Sequence, residues 1–215
     1  GKNETVYWGN HVNDRSRKIA YGASIYTTKL DCIEKKKVIK YLSSFYALAV
    51  REQALAKQIE NILNRTVETV VDPTLLIPCE YYLKIINVTK IDKPYVLVYT
   101  VSDSIELLDA VQKLGLPIRW LHYYKSINLK SDDVEDIADA GPIEFLELIY
   151  GAEYVITNSF HGTVFSILFR KKFCAVYDKN IRIENLLEVA HMKEAHIKSM
   201  KDINTDRMVV SSNYN

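Results

Sequence analysis

The sequence predicts an α/β protein built on parallel sheets, and three observations carry that prediction. Apolar runs of strand length alternate with stretches whose apolar residues recur at helical spacing, from about Ile19 to Ala190. The alternation breaks at Asp72-Pro73-Thr74, where proline cannot continue a ladder, so an α/β unit is expected on either side. Finally, the run from Tyr154 to Phe169 joins a short buried strand to an apolar helix through a polar turn, which is where open parallel sheets bind ligands.

In chain order, Ile19 to Tyr26 reads as a strand, Glu34 to Ser43 as a helix and Phe45 to Val50 as a buried strand. The run Lys35-Lys36-Lys37 is a solvated helix face. Gln53 to Leu63 places Leu55, Ile59 and Ile62 on one helical stripe, and Thr66 to Val71 is the next strand. A connection from about Leu75 to Asp92 holds a short helix around Glu80 to Ile86. Tyr95 to Val101 then reads as a strand, and Asp103 with Glu106 opens a helix carrying Leu107, Val111 and Leu114. Pro117 to Leu121 is a strand, and the Ser-, Asp- and Lys-rich stretch from Lys125 to Ala140 reads as a loop, either mobile near the cleft or, as the plainer reading, merely solvated. Pro142 starts the helix of Phe145, Leu146 and Ile149. Phe173 to Tyr177 is the last strand, and Ile183, Leu186, Leu187 and Ala190 mark the last helix. The units are expected at residues 1–78 and 92–190, followed by a tail at 191–215.

The polar turn is the first candidate site. With Asn158 or Ser159 as N-cap, His161 falls in the first helical turn, where the helix dipole favours a bound anion; the alternative is a satisfied core histidine beside an ordinary cap. Gly162 permits a close approach to the backbone. Arg51 ends a strand just before a helix, placing a guanidinium where it can grip a carboxylate or phosphate, or simply sit at the surface. Asp72 can hold Arg51, bind a substrate hydroxyl or cap the turn that follows. His122-Tyr123-Tyr124 leaves the end of a strand at the ligand-binding edge, although packing explains tyrosines equally well. His11, His191 and His196 show no partner pattern.

Composition limits the function classes. A net charge of +1 over 215 residues argues against a nucleic-acid footprint. No apolar run approaches a membrane span, and no signal peptide is visible. Cys32, Cys79 and Cys174 are too widely spaced for a disulfide framework or zinc site, which points to reduced thiols. No cluster of metal-ligand type is evident, so no metal is called for.

Several segments together resemble a known family. Thr157-Asn158-Ser159-Phe160-His161-Gly162-Thr163-Val164-Phe165-Ser166-Ile167, preceded by Gly141-Pro142-Ile143-Glu144-Phe145-Leu146 and Ala152-Glu153-Tyr154, resembles the signature of the polysaccharide pyruvyl transferases. Ala49-Val50-Arg51-Glu52, Val71-Asp72-Pro73-Thr74-Leu75-Leu76 and Arg17-Lys18-Ile19-Ala20-Tyr21-Gly22-Ala23-Ser24 resemble further segments in the right order.

The resemblance implies a GT-B-like fold of two Rossmann-like units facing across a cleft. It also implies transfer of a pyruvyl group from phosphoenolpyruvate to hydroxyls of a bacterial exopolysaccharide or its lipid-linked precursor. His161 and Arg51 are the catalytic positions it implies, with Asn158, Ser159, Phe160 and Gly162 beside the donor. Some members carry an arginine where this chain has Ser159. Phosphoenolpyruvate is a substrate, so no cofactor is implied, and the setting is cytoplasmic, at the inner membrane face for a lipid-linked acceptor. Because the chain opens at Gly1, it reads as a short relative or a piece of something longer, with an N-terminal unit short of early strands that would expose an edge or form a homodimer. The alternatives are a GT-B glycosyltransferase using a nucleotide sugar and a non-catalytic glycan-binding fragment.

Overall fold

A computed structural model of the chain describes residues 8–9, 17–25, 29–87, 93–101, 105–122, 133–208 and 210, and the chain divides into two units, Gly1–Leu76 and Ile77–Asn215. Each unit carries its own parallel sheet.

In the first unit, β1 (Lys18–Ala23), β2 (Phe45–Val50) and β3 (Glu68–Thr69) form a sheet in that order, every pair parallel. Helix α1 (Cys32–Lys37) opens with a reciprocal capping box between Asp31 and Glu34. Its last turn holds Lys35, Lys36 and Lys37, where cations meet the negative end of the helix dipole. The helix then widens into a π-turn at Val38–Leu42. Helix α2 (Gln53–Leu63) buries Leu55, Ala56 and Ile59 against Leu48 and Val50 of β2. It ends at Asn64, whose φ of 49° is the left-handed cap that terminates a helix.

The second unit starts with α3 (Cys79–Ile85) and continues through β4 (Val96–Thr100), α4 (Ile105–Gln112), β5 (Ile118–His122), β6 (Val134–Ile137), α5 (Pro142–Gly151), β7 (Tyr154–Thr157), α6 (Phe160–Leu168), β8 (Lys172–Val176), α7 (Ile181–Val189) and β9 (His196–Ile197). Its sheet runs β6-β5-β4-β7-β8-β9, parallel throughout. Strand order reverses between β4 and β7, giving the topological switch point of a doubly wound sheet. One face packs Val98, Trp120, Ile156 and Cys174 against Leu107 and Val111 of α4. Elsewhere in the unit, Phe145 meets Tyr99 and Phe165 edge-on, and Phe165 meets Tyr82 in the same way.

Three expectations need correction. The stretch expected as a loop from Lys125 to Ala140 contains β6, held by register with β5 from Ile118↔Val134 to Leu121↔Ile137. The segment 191–215 is not simply a tail: β9 pairs with β8, and Ile203 and Met208 enter the core. The strand expected over Thr66 to Val71 shrinks to Glu68–Thr69, because β2 offers it only Ala49 and Val50 as partners. Tyr123, Tyr124, Asp103 and His11 lie outside the described residues. No described helix is long and apolar enough to cross a membrane.

The cysteines are free thiols in three environments: Cys32 is exposed, Cys79 intermediate and Cys174 buried. Burial pushes the Cys174 thiol up to about 12. Because the thiolate is the nucleophile, iodoacetamide at neutral pH is expected to modify Cys32 in the folded protein and to reach Cys174 only after denaturation. Peptide mass spectrometry reads the difference, and equal native labelling would contradict this burial.

Candidate functional site

The turn between β7 and α6 is stitched to β4 across the switch point. The Thr157 hydroxyl donates to the Tyr99 carbonyl at 2.6 Å and accepts the Ser159 N–H at 3.0 Å. Asn158 Oδ1 accepts the Val101 N–H at 2.7 Å. Ser159 is the N-cap, its hydroxyl accepting the Gly162 N–H at 3.4 Å. Within α6, Thr163 Oγ1 donates back to the Ser159 carbonyl and Ser166 Oγ to the Gly162 carbonyl, so these buried hydroxyls are satisfied inside the helix.

The described motif residues divide by exposure. Ser159, Phe160 and Gly162 are buried, Asn158 is half-buried, and His161 is exposed. The Phe160 ring meets the His161 ring edge-on, with centroids 5.4 Å apart. The close approach expected at Gly162 is made by the protein's own sheet. A Cβ there would stand 2.3 Å from Thr157 Oγ1 and 3.1 Å from Tyr99 Cδ1. What the turn presents outward is an imidazole on the first turn of a buried helix.

In the first unit, Arg51 follows β2 and donates its backbone N–H to the Ala23 carbonyl at 2.9 Å. Its Nη1 is paired with Asp72 Oδ2. The other oxygen of Asp72 accepts the Thr74 N–H at 3.0 Å and the Thr74 hydroxyl at 2.7 Å. Asp72 therefore both holds Arg51 and caps its own turn, two of the roles its sequence position allowed. The Arg51 side chain is 19% exposed against 6% for Asp72, so a charged group remains at the surface over a buried anchor. The sequence reading missed Glu52, which is buried and accepts the Ser24 hydroxyl at 2.6 Å. Its position at the N-cap of α2 resembles an ordinary cap, yet its side chain makes no cap bond. Arg51 belongs to the first unit and His161 to the second.

His122 and His196 have structural explanations. His122 ends β5 buried, stacked on Trp120 with 4° between ring planes, and its Nε2 lies 2.8 Å from Asp136 Oδ1 on β6. His196 Nε2 bonds the Tyr177 carbonyl at 2.9 Å, and the two rings stack. Since a carbonyl can only accept, that nitrogen carries the proton. Among the described residues no group of three or more His, Cys, Asp or Glu side chains could hold a metal ion.

Among solved structures, the chain is similar to one assigned as a UDP-N-acetylglucosamine 2-epimerase from Listeria monocytogenes. Identity is 8% and the TM-score 0.57, over 86% of this chain and 55% of that one. That likeness is one of fold, and this chain spans about half of the epimerase's length. No curated protein sequence matches it. Residues 3–180 match the polysaccharide pyruvyl transferases, a span containing Arg51 directly after β2, Asp72 and the switch-point turn with His161. By that match, over most of its length, the chain belongs to the polysaccharide pyruvyl transferase family.

Proposed function

We propose that the protein transfers the pyruvyl group of phosphoenolpyruvate to a pair of hydroxyls on a polysaccharide or its lipid-linked precursor, forming a ketal. The observation that carries this reading is the exposed His161 on the first turn of α6, at the switch point of the second sheet, within a chain of this family.

The chemistry sets the requirements. The methylene carbon of phosphoenolpyruvate takes up a proton, and one sugar oxygen bonds to the central carbon. The C–O bond to phosphate breaks, and the second sugar oxygen closes the ketal. Of the two hydroxyl protons, one balances the proton gained by the methylene and the other leaves with inorganic phosphate. Such a site needs cationic or dipolar groups for two anions and a proton carrier working near neutrality. In this reading His161 carries the proton and Arg51 binds an anionic group of the donor. Asn158, Ser159, Phe160 and Gly162 serve the donor by fixing the turn from which His161 projects. Ser159 meets the need for a cap here, where some relatives carry an arginine. A cytoplasmic reaction follows from the donor, at the inner membrane face for a lipid-linked acceptor.

Thermal shift separates this reading from a nucleotide-sugar glycosyltransferase. Phosphoenolpyruvate at a hundred times its Kd should stabilise the fold by about 2.7 kcal/mol, and nucleotide sugars should not. The reverse pattern would favour the glycosyltransferase, and no shift with either would favour a non-catalytic fragment. Arg51→Lys keeps the charge but loses the planar fork. It is expected to weaken phosphoenolpyruvate binding by roughly tenfold or more, read by calorimetric titration. Parental affinity in that variant would remove Arg51 from the donor site.

A further inference from the structure

We propose that Glu52 receives a hydroxyl of the acceptor sugar at the carboxyl ends of β1 and β2 in the first unit; this rests on the pyruvyl-transfer reading. Glu52 is 3% exposed. One carboxylate oxygen accepts the Ser24 hydroxyl at 2.6 Å, while the other, Oε2, is buried with no hydrogen-bond partner among the described residues. The side chain also declines the cap bond that its place at the start of α2 offers. Buried polar atoms are satisfied almost everywhere in proteins, so a carboxylate oxygen left short of a donor calls for an explanation.

The chemistry of the missing partner selects the ligand. Oε2 needs a hydrogen-bond donor. Phosphoenolpyruvate presents carboxylate and phosphate oxygens, which are acceptors of like charge and are repelled. A sugar hydroxyl can donate a hydrogen bond and so suits Oε2. Location agrees: Ser24 and Glu52 follow the ends of neighbouring parallel strands, where Ala23 pairs with Val50, and ligands collect at such ends. Arg51, the preceding residue, suits the anion, so adjacent side chains divide the two substrates between them. Oε2 is covered in this structure, so the carboxylate must turn away from Ser24 before a hydroxyl can reach it.

The test uses the whole chain, with phosphoenolpyruvate titrated calorimetrically and a panel of methyl glycosides (galactoside, glucoside, N-acetylmannosaminide) followed by saturation-transfer NMR. Glu52→Gln removes the charge at constant shape. It is expected to weaken glycoside binding about tenfold and leave phosphoenolpyruvate affinity within about twofold. Ser24→Ala, which removes only the tether, is expected to hold glycoside affinity within about threefold. The proposal is overturned if the parent binds none of the glycosides, if Glu52→Gln binds them as the parent does, or if both variants lose them equally, as a purely structural clamp would. Failure of the parent to bind phosphoenolpyruvate would instead sink the pyruvyl-transfer reading, whatever the glycoside result.

Discussion

His161→Gln is expected to slow pyruvyl transfer by roughly 10²–10⁴-fold while leaving phosphoenolpyruvate affinity and the fold nearly unchanged. Glutamine can hydrogen-bond from the same position but cannot exchange a proton near neutral pH, so in the proposed reading the substitution removes the proton carrier. The side chain is exposed, and its ring meets that of Phe160 edge-on. The stability change should therefore stay within about 0.5 kcal/mol, as for other surface substitutions. Single-turnover transfer, donor titration and melting temperature measure the three quantities separately. A variant that transfers at the parental rate would remove His161 from the chemistry. One that loses donor affinity in proportion to rate would make it a binding group instead.

The fold was legible wherever burial and periodicity agreed. Strand β2 and helix α2 fall at the bounds that Phe45 to Val50 and the Leu55, Ile59 spacing imply, because both elements face one core. Strand β6 reads Val-Glu-Asp-Ile inside a polar run, and its pairing with β5 makes it a strand. Part of its reason is a side chain: Asp136 lies against the buried His122, a partnership invisible until the strands are adjacent. Strand β9 has only two residues and likewise depends on its neighbour, β8.

The positions of the candidate residues were legible to a similar depth. Residue type and spacing placed His161 on the first turn of a helix and Arg51 at a strand end, since both follow from local pattern. Direction was not legible. Nothing in the sequence says that Glu52 turns from its helix toward Ser24, because a carboxylate at a helix start normally reads as a cap. Gly162 suggested room for a ligand, but the room is filled by Thr157 and Tyr99.

That filled space makes Gly162→Ala the substitution expected to damage the fold most. The added Cβ would stand 2.3 Å from Thr157 Oγ1, 3.1 Å from Thr157 Cβ and 3.1 Å from Tyr99 Cδ1. The hydroxyl cannot simply step aside, because it donates to the Tyr99 carbonyl and accepts the Ser159 N–H. Either α6 lifts from the sheet or those bonds break. Overpacking together with a lost buried hydrogen bond costs about 2–4 kcal/mol, enough to lower the melting temperature of this unit by on the order of 10 °C. Turnover should fall as well, since His161 rides on the same helical turn. A double-mutant cycle isolates the cause. Thr157→Ala alone should destabilise by losing its bonds, but in the Gly162→Ala background it removes the 2.3 Å contact and should cost far less. If the two substitutions prove additive, the close approach of helix to sheet at Gly162 is not what holds this turn in place.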